Sequence, residues 1–169
     1  MPQLSYPTDT TNAFAGMLAD NERNSDILSR QSEDAVAHPH GVAVVVGTDP
    51  ERQVLLPTGA ANLLGVVVHS HAAEVGSDDL NLVNLNDTIN VLHEGRIFVE
   101  LETGSPSVVA MTTGVFVRVA NAGAGEGIGR FRGDVDGGDA LTVTGARWIT
   151  SGAAGDVVVL EIDKGATIA

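Results

Sequence analysis

Three parts of the sequence hold residue types that could do chemistry: His38-Pro39-His40, His69-Ser70-His71, and GAGEGIGRFRGDVDGGD at 123–139. In His69-Ser70-His71 the imidazoles stand at i and i+2, which on a strand points both to one face, as converging metal ligands require. A closed zinc site needs three or four ligands. Spacing fixes no third one, although Glu74 is near in the chain and His38 and His40 repeat the interval. His69 and His71 are thus candidate metal ligands whose default is a solvent-facing or interface position, where clustered imidazoles would make assembly respond to pH.

In 123–139, glycines recur at every second position rather than as G-x-G-x-x-G, and a strand pattern follows, so the dinucleotide fingerprint is not met. Without G-K-[ST] there is no P-loop either. Asp134, Asp136 and Asp139 with Gly137 and Gly138 resemble the oxygen-rich loops that hold calcium, but not in the EF-hand order. Asp134 and Asp136 stay as candidate cation ligands. Arg132-Gly133-Asp134 spells an adhesion tripeptide short enough to arise by chance. The simplest reading is a turn at 136–139, its glycines supplying positive φ, between a strand near 128–135 and another from Ala140.

No G-x-S-x-G elbow marks a nucleophile. Glu100 and Glu102 alternate along a strand, where they would face solvent or arginines, and the reading is a solvated acidic face. No motif carries a mechanism, so neither enzyme activity nor a cofactor is expected.

The elements that must position these residues are strands. The runs at 41–47, 53–57, 63–73, 88–101, 107–120, 140–150 and 156–163 are short, rich in Val and Ile, and punctuated by Gly, Pro, Asn and Asp. They predict an all-β fold, jelly-roll-like or a related β-sandwich or barrel, over 41–169, with His93-Glu94-Gly95 as a tight hairpin turn. Residues 1–40 are more polar and predict an extended N-terminal arm, with a short helix suggested by Ile27, Leu28, Gln31 and Ala35.

Nine basic against 22 acidic residues give a formal charge of -13, which repels nucleic-acid phosphates and speaks against DNA or RNA as a partner. With no cysteine there is no disulfide or thiolate metal site. The first residues lack a basic region followed by an apolar run, so no secretory signal is expected. No apolar run approaches the ~20 residues that span a bilayer, so no membrane partner is expected.

One ordered set of short motifs goes further. The C-terminal GRFRGDVDGGDALTVTGARWITSGAAGDVVVLEID resembles the closing block of the structural cement, or capsid decoration, proteins of tailed bacteriophages. Gly129, Phe131 and Arg132, then Asp134, Asp136, Gly137 and Gly138, then Gly145 to Trp148, Thr150 to Gly155, and Leu160-Glu161 match in order. Ala13 to Asp20 is similar to the family's P-A-G-M-I-A-D-like start, with Phe14 in place of the proline, and Gly41 to Val44 to the G-V-A-V strand after it. The Asn/Asp-rich segment at 74–90 has no counterpart.

The resemblance implies a protein made in the host cytoplasm that binds the outside of the expanded icosahedral head. There it would bridge neighbouring major capsid proteins and act as a homodimer or homotrimer. Phe14, Met17, Leu18, Ile27 and Leu28, the apolar residues of the polar arm, are the expected contacts to the capsid or to another subunit, or else pack on the chain's own domain. The alternative is a cation-binding adhesion or carbohydrate-binding β-module, which the scarcity of Trp and Tyr disfavours.

Overall fold

One strand organises the molecule. The computed structural model describes residues 13–19, 25–69, 82–124 and 126–169. Its strands there are β1 (Asp26–Ser32), β2 (Ala43–Val46), β3 (Gln53–Leu55), β4 (Ala61–Val68), β5 (Thr88–Glu100), β6 (Phe116–Arg118), β7 (Phe131–Arg132), β8 (Ala140–Trp148) and β9 (Val157–Ile168). A single 3-10 turn at Asp136–Gly138 precedes β8. The all-β expectation holds.

β5 changes partners half-way along. Its first half pairs antiparallel with β1 (Ile27 opposite Leu92) and with β4 (Val67 opposite Val91). From Gly95 onward it pairs with β9 instead, Ile97 opposite Leu160. His93-Glu94-Gly95 is therefore not the expected hairpin turn: the strand continues through it. Gly95, at φ 132, absorbs the bend where the hydrogen-bonding partner switches.

Two rings share this strand. β1 continues to β3 in parallel, β3 to β2, β2 to β4, and β4 back to β5, which closes a five-stranded ring. On the other side β5 leads through β9, β8 and β6 to β7. A parallel bridge between Leu101 and Phe131 ties β7 back to the end of β5.

The apolar runs follow from this layout. Val44, Val54, Val67, Ile89 and Val91, from four strands of the first ring, form one buried cluster with Val42 and Val83. Alternate residues of those strands, Ala43, Val45, Val66, Val68 and Leu92, join a larger core with Ile97, Val99, Phe131, Trp148 and Leu160. With both faces covered, β2 and β4 read as unbroken apolar stretches instead of alternating ones. Gly65 allows the closest approach, since a Cβ there would lie 2.0 Å from the Leu92 carbonyl oxygen of β5.

Several sequence expectations shift. The short helix suggested around Ile27 and Leu28 is β1, whose exposure alternates along DILSRQS as a strand requires. In 107–120 only Phe116–Arg118 is strand. Residues 110–112 form a turn instead, and β7 occupies two residues of the predicted 128–135. The turn at 136–139 is present, with Gly137 at φ 68 and Gly138 at φ 109.

Candidate functional site

The most elaborate polar cluster lies in the stretch that looked most like a ligand loop. Arg118 leaves β6 and Arg132 leaves β7, neighbouring strands, and both guanidinium groups turn inward to Glu102, two residues past the end of β5. All three are sealed from water, at 1%, 1% and 0% exposure. Arg118 holds Glu102 through Nε at 2.6 Å and Nη2 at 3.0 Å, a bidentate pair, while Arg132 Nη1 donates to Glu102 Oε2 at 2.9 Å. Asp136 of the 3-10 turn accepts from Arg118 Nη2 at 2.6 Å and Arg132 Nη1 at 2.7 Å, and Asp134 accepts from Arg132 Nε at 2.7 Å. Glu126 adds a fourth carboxylate, 3.1 Å from Arg118.

The electrostatics follow from these contacts. The hydrogen bond from Arg118 holds the Asp136 carboxyl below its ordinary range against a partial burial cost, and Arg132 reinforces it. The same pairing with Glu102 raises the Arg118 guanidinium further above its usual value. Asp134 and Asp136, the candidate cation ligands, spend their carboxylates on arginines. Arg132 of the Arg-Gly-Asp tripeptide is buried, so the tripeptide cannot present its cation to a receptor.

The expectation of a solvated acidic face at Glu100 and Glu102 is corrected here. Glu102 is inside, and Glu100 pairs with Arg130 at 3.3 Å. A second ionic cluster crosses the sheet at Glu161 of β9, flanked in register by Arg96 on β5 and Arg147 on β8, both ion-paired to it. Burial pushes the Glu161 carboxyl up, but the two arginines more than offset it and hold it below the usual range.

The histidines lie elsewhere, around the N-terminal segment. Gly16 N–H donates to Phe98 O at 2.7 Å and Phe98 N–H to Met17 O at 2.8 Å. Leu18 pairs with Ile97, so residues 16–19 lie along β5 as an added strand. His69 N–H donates to Gly16 O at 2.8 Å, and the His69 ring stands 4.5 Å from Phe14 and 4.9 Å from His40. The two histidine pairs thus do meet, through His40 and His69. His71 lies outside the described residues, and among the described residues no group of three or more His, Asp or Glu is arranged to hold a metal.

Of the expected contact residues, Leu18 packs on the main core of its own chain, and Leu28 is half-buried on β1 beside the exposed Ile27. Phe14, Met17 and Ile27 each keep 40% of their surface exposed. Trp148 is fully buried, its Nε1 donating to Gly114 O at 3.1 Å, so it offers no platform to a sugar. Among the described residues no helix is long and apolar enough to cross a membrane.

Sequence reasoning missed Arg118 and placed Glu102 on a solvated face. One signal could have found them: charged residues at Glu102, Arg118 and Arg132 interrupt or flank otherwise apolar strands, and a charge in such a place needs a partner.

Fold and site together define an all-β protein whose densest polar cluster binds its own strands to one another. The sequence model of the family described as structural cement protein (E217 gp24/Pam3 gp6) matches residues 2–163. The chain belongs to that family, as the ordered motifs at its two ends implied. Among solved structures, a chain from "The capsid of Myoviridae Phage XM1" shares the fold, with a TM-score of 0.72 and 12% identity over 95% of this chain and 96% of that one. No curated protein matches the sequence.

Proposed function

We propose that this protein is a non-enzymatic capsid cement. In this reading it binds the outer surface of the expanded head, bridges neighbouring major capsid proteins, and holds the shell against internal pressure as a homodimer or homotrimer. The observation that carries the reading is the family match, which spans residues 2–163. The physical character of the chain supports it. A cement must resist deformation, and the strand ends at 102, 118 and 132 are locked by buried ion pairs. It must also present anchors, and Phe14, Met17 and Ile27 are exposed apolar side chains close to residues held by backbone hydrogen bonds. Many modest contacts on one particle then add up through effective concentration.

The test uses expanded heads that lack the protein. Purified protein should co-sediment with them and raise the temperature at which they release DNA. Absence of binding, or binding with an unchanged release temperature, overturns the reading. Removing residues 1–12 tests the start of the arm separately: weaker binding with an unchanged circular dichroism spectrum is expected, and unchanged affinity removes residues 1–12, though not the anchors at Phe14, Met17 and Ile27, from the contact.

A further inference from the structure

We propose that His40 and His69 form a proton-operated latch, in which the neutral rings hold residues 13–19 against β5 and their protonation lets that segment go. Only its consequence for head attachment rests on the cement reading.

Three observations carry it. The first is fit. The segment crosses the loop before β2 where two glycines face each other, Gly16 at φ 87 and Gly41 at φ 78. A Cβ on Gly16 would come within 2.8 Å of both the His40 Cβ and the His69 backbone nitrogen, and one on Gly41 within 2.8 Å of the Ala15 Cβ. His69 N–H donates to Gly16 O, and Gly41 N–H to Val67 O, both at 2.8 Å. With no slack at this crossing, rings that push apart move the backbone on which the segment is docked.

The second observation is burial. His40 is 6% exposed and His69 half-buried, their rings 4.9 Å apart, with Phe14 set edge-on to His69 at 4.5 Å. Burial disfavours a charged imidazole, and two imidazolium rings at that separation repel. The third is the surrounding charge. Residues 13–19 and β4 carry no ionisable side chain. On the loop before β2, His38 is directed at Asp34, 3.5 Å away. Glu100 and Arg130 line the water-sized cleft beside His40, but they pair with each other at 3.3 Å. Nothing in this set offers an uncompensated carboxylate to a second proton. The released state therefore takes up more protons than the docked one, so docking is complete above the ordinary imidazole value of ~6.5 and weakens as pH falls below it. Phe14 and Met17, the exposed anchors, ride on the segment, and attachment through them would weaken with it.

The test is amide hydrogen exchange of the free, full-length protein at about pH 7 and about pH 5, each rate corrected for its intrinsic pH dependence. The release is local, so the melting temperature is not its measure. The amides that join segment and body, Gly16, Ala19, His69 and Phe98, should lose protection by about tenfold or more at the lower pH, while amides of the β5–β9 pairing keep theirs. In the double variant His40→Gln, His69→Gln, whose side chains stay polar and take up no proton, protection should be the same at both pH values. If that variant is unprotected already at about pH 7, His69→Gln alone decides, and its pH step must be smaller than that of the wild type. An unchanged wild type, or a step that survives in the variants, overturns the inference. Protection that appears only with added zinc and is lost to a chelator also overturns it, by making the two rings metal ligands. Wild-type protein should bind heads more weakly at about pH 5 and the double variant equally at both. A pH step in exchange without head binding at either pH overturns the cement reading and leaves the latch, so the two fail separately.

Discussion

With no exposed surface, the Glu102 carboxylate depends on Arg118 and Arg132, with the Gly127 N–H at 3.3 Å, for what water would otherwise supply. Removing Glu102 takes from both buried guanidinium groups their one fully buried acceptor and leaves them to the more exposed Asp134, Asp136 and Glu126, and breaking a buried cluster in this way costs more than the cluster contributes over an apolar replacement. Glu102→Ala is therefore expected to destabilise the fold by about 3–5 kcal/mol, read from urea unfolding. A loss below about 1 kcal/mol would show that Asp134, Asp136 and Glu126 satisfy the two arginines without Glu102. The acidic side of the pH scale tests the same cluster together with Glu161 and Glu33. The Thr48 hydroxyl and backbone N–H lower the Glu33 carboxyl, Arg118 lowers that of Asp136, and Arg96 with Arg147 lowers that of Glu161 in spite of burial. A folded-state pKa below the unfolded value gives stability that is complete above the ordinary carboxylate range and is lost as pH falls through the folded-state value. The melting temperature should hold from about pH 7 to about 5 and fall below about pH 4. A flat profile down to about pH 2.5 would mean these carboxylates contribute nothing to folding.

Between elements, the decisive fact is that β5 serves two rings, and glycines mark where strands come closest. Gly65→Ala would drive a Cβ into the Leu92 carbonyl oxygen, 2.0 Å away, at the joint between β4 and β5, and is expected to cost about 3 kcal/mol or prevent folding. Gly137 has open space around its Cβ position and φ 68, so Gly137→Ala should cost only the backbone term, about 1 kcal/mol. Melting temperatures of the two variants check the order, and a Gly137 variant worse than the Gly65 variant would refute it. The same pair shows what sequence could and could not convey. The Asp-Gly-Gly turn was legible because consecutive glycines between apolar runs have a local cause. Nothing in LLGVVV separates Gly65 from a strand glycine of no consequence, since the reason is the carbonyl of Leu92, on another strand. Likewise β2, β3, β4, β8 and β9 were readable from apolar runs, whereas β1 was not. In DILSRQS the two apolar residues, Ile27 and Leu28, are adjacent and point to opposite faces, so no alternation marks it, and only pairing with β5 makes it a strand. In sequence the partner switch at Gly95 reads as a turn because both use a glycine to bend the chain.

For the molecule as a whole, charge decides how copies crowd on a surface. Ion pairs to the buried carboxylates of Glu102 and Glu161 consume Arg96, Arg118, Arg132 and Arg147, so few cations are left outside to balance the acids of a chain with net charge -13. Neighbouring copies on a shell would then face one another with like charge. Such repulsion reaches about 30 Å at 0.01 M salt and about 10 Å at 0.1 M. If the acidic surface points away from the capsid, the number of copies a head accepts at saturation should rise as salt increases from about 0.01 to about 0.15 M, measured by densitometry of purified, fully loaded heads. The opposite slope would mean that the acidic surface is itself the contact, drawn to basic capsid residues by an attraction that salt weakens. A coat that fills better in salt points to an apolar attachment, which under the proposed function exposed Phe14, Met17 and Ile27 would supply. Their replacement by aspartate should then lower saturation at every salt concentration while leaving its upward slope in place, because the slope belongs to the repulsion between copies and not to the bond with the shell.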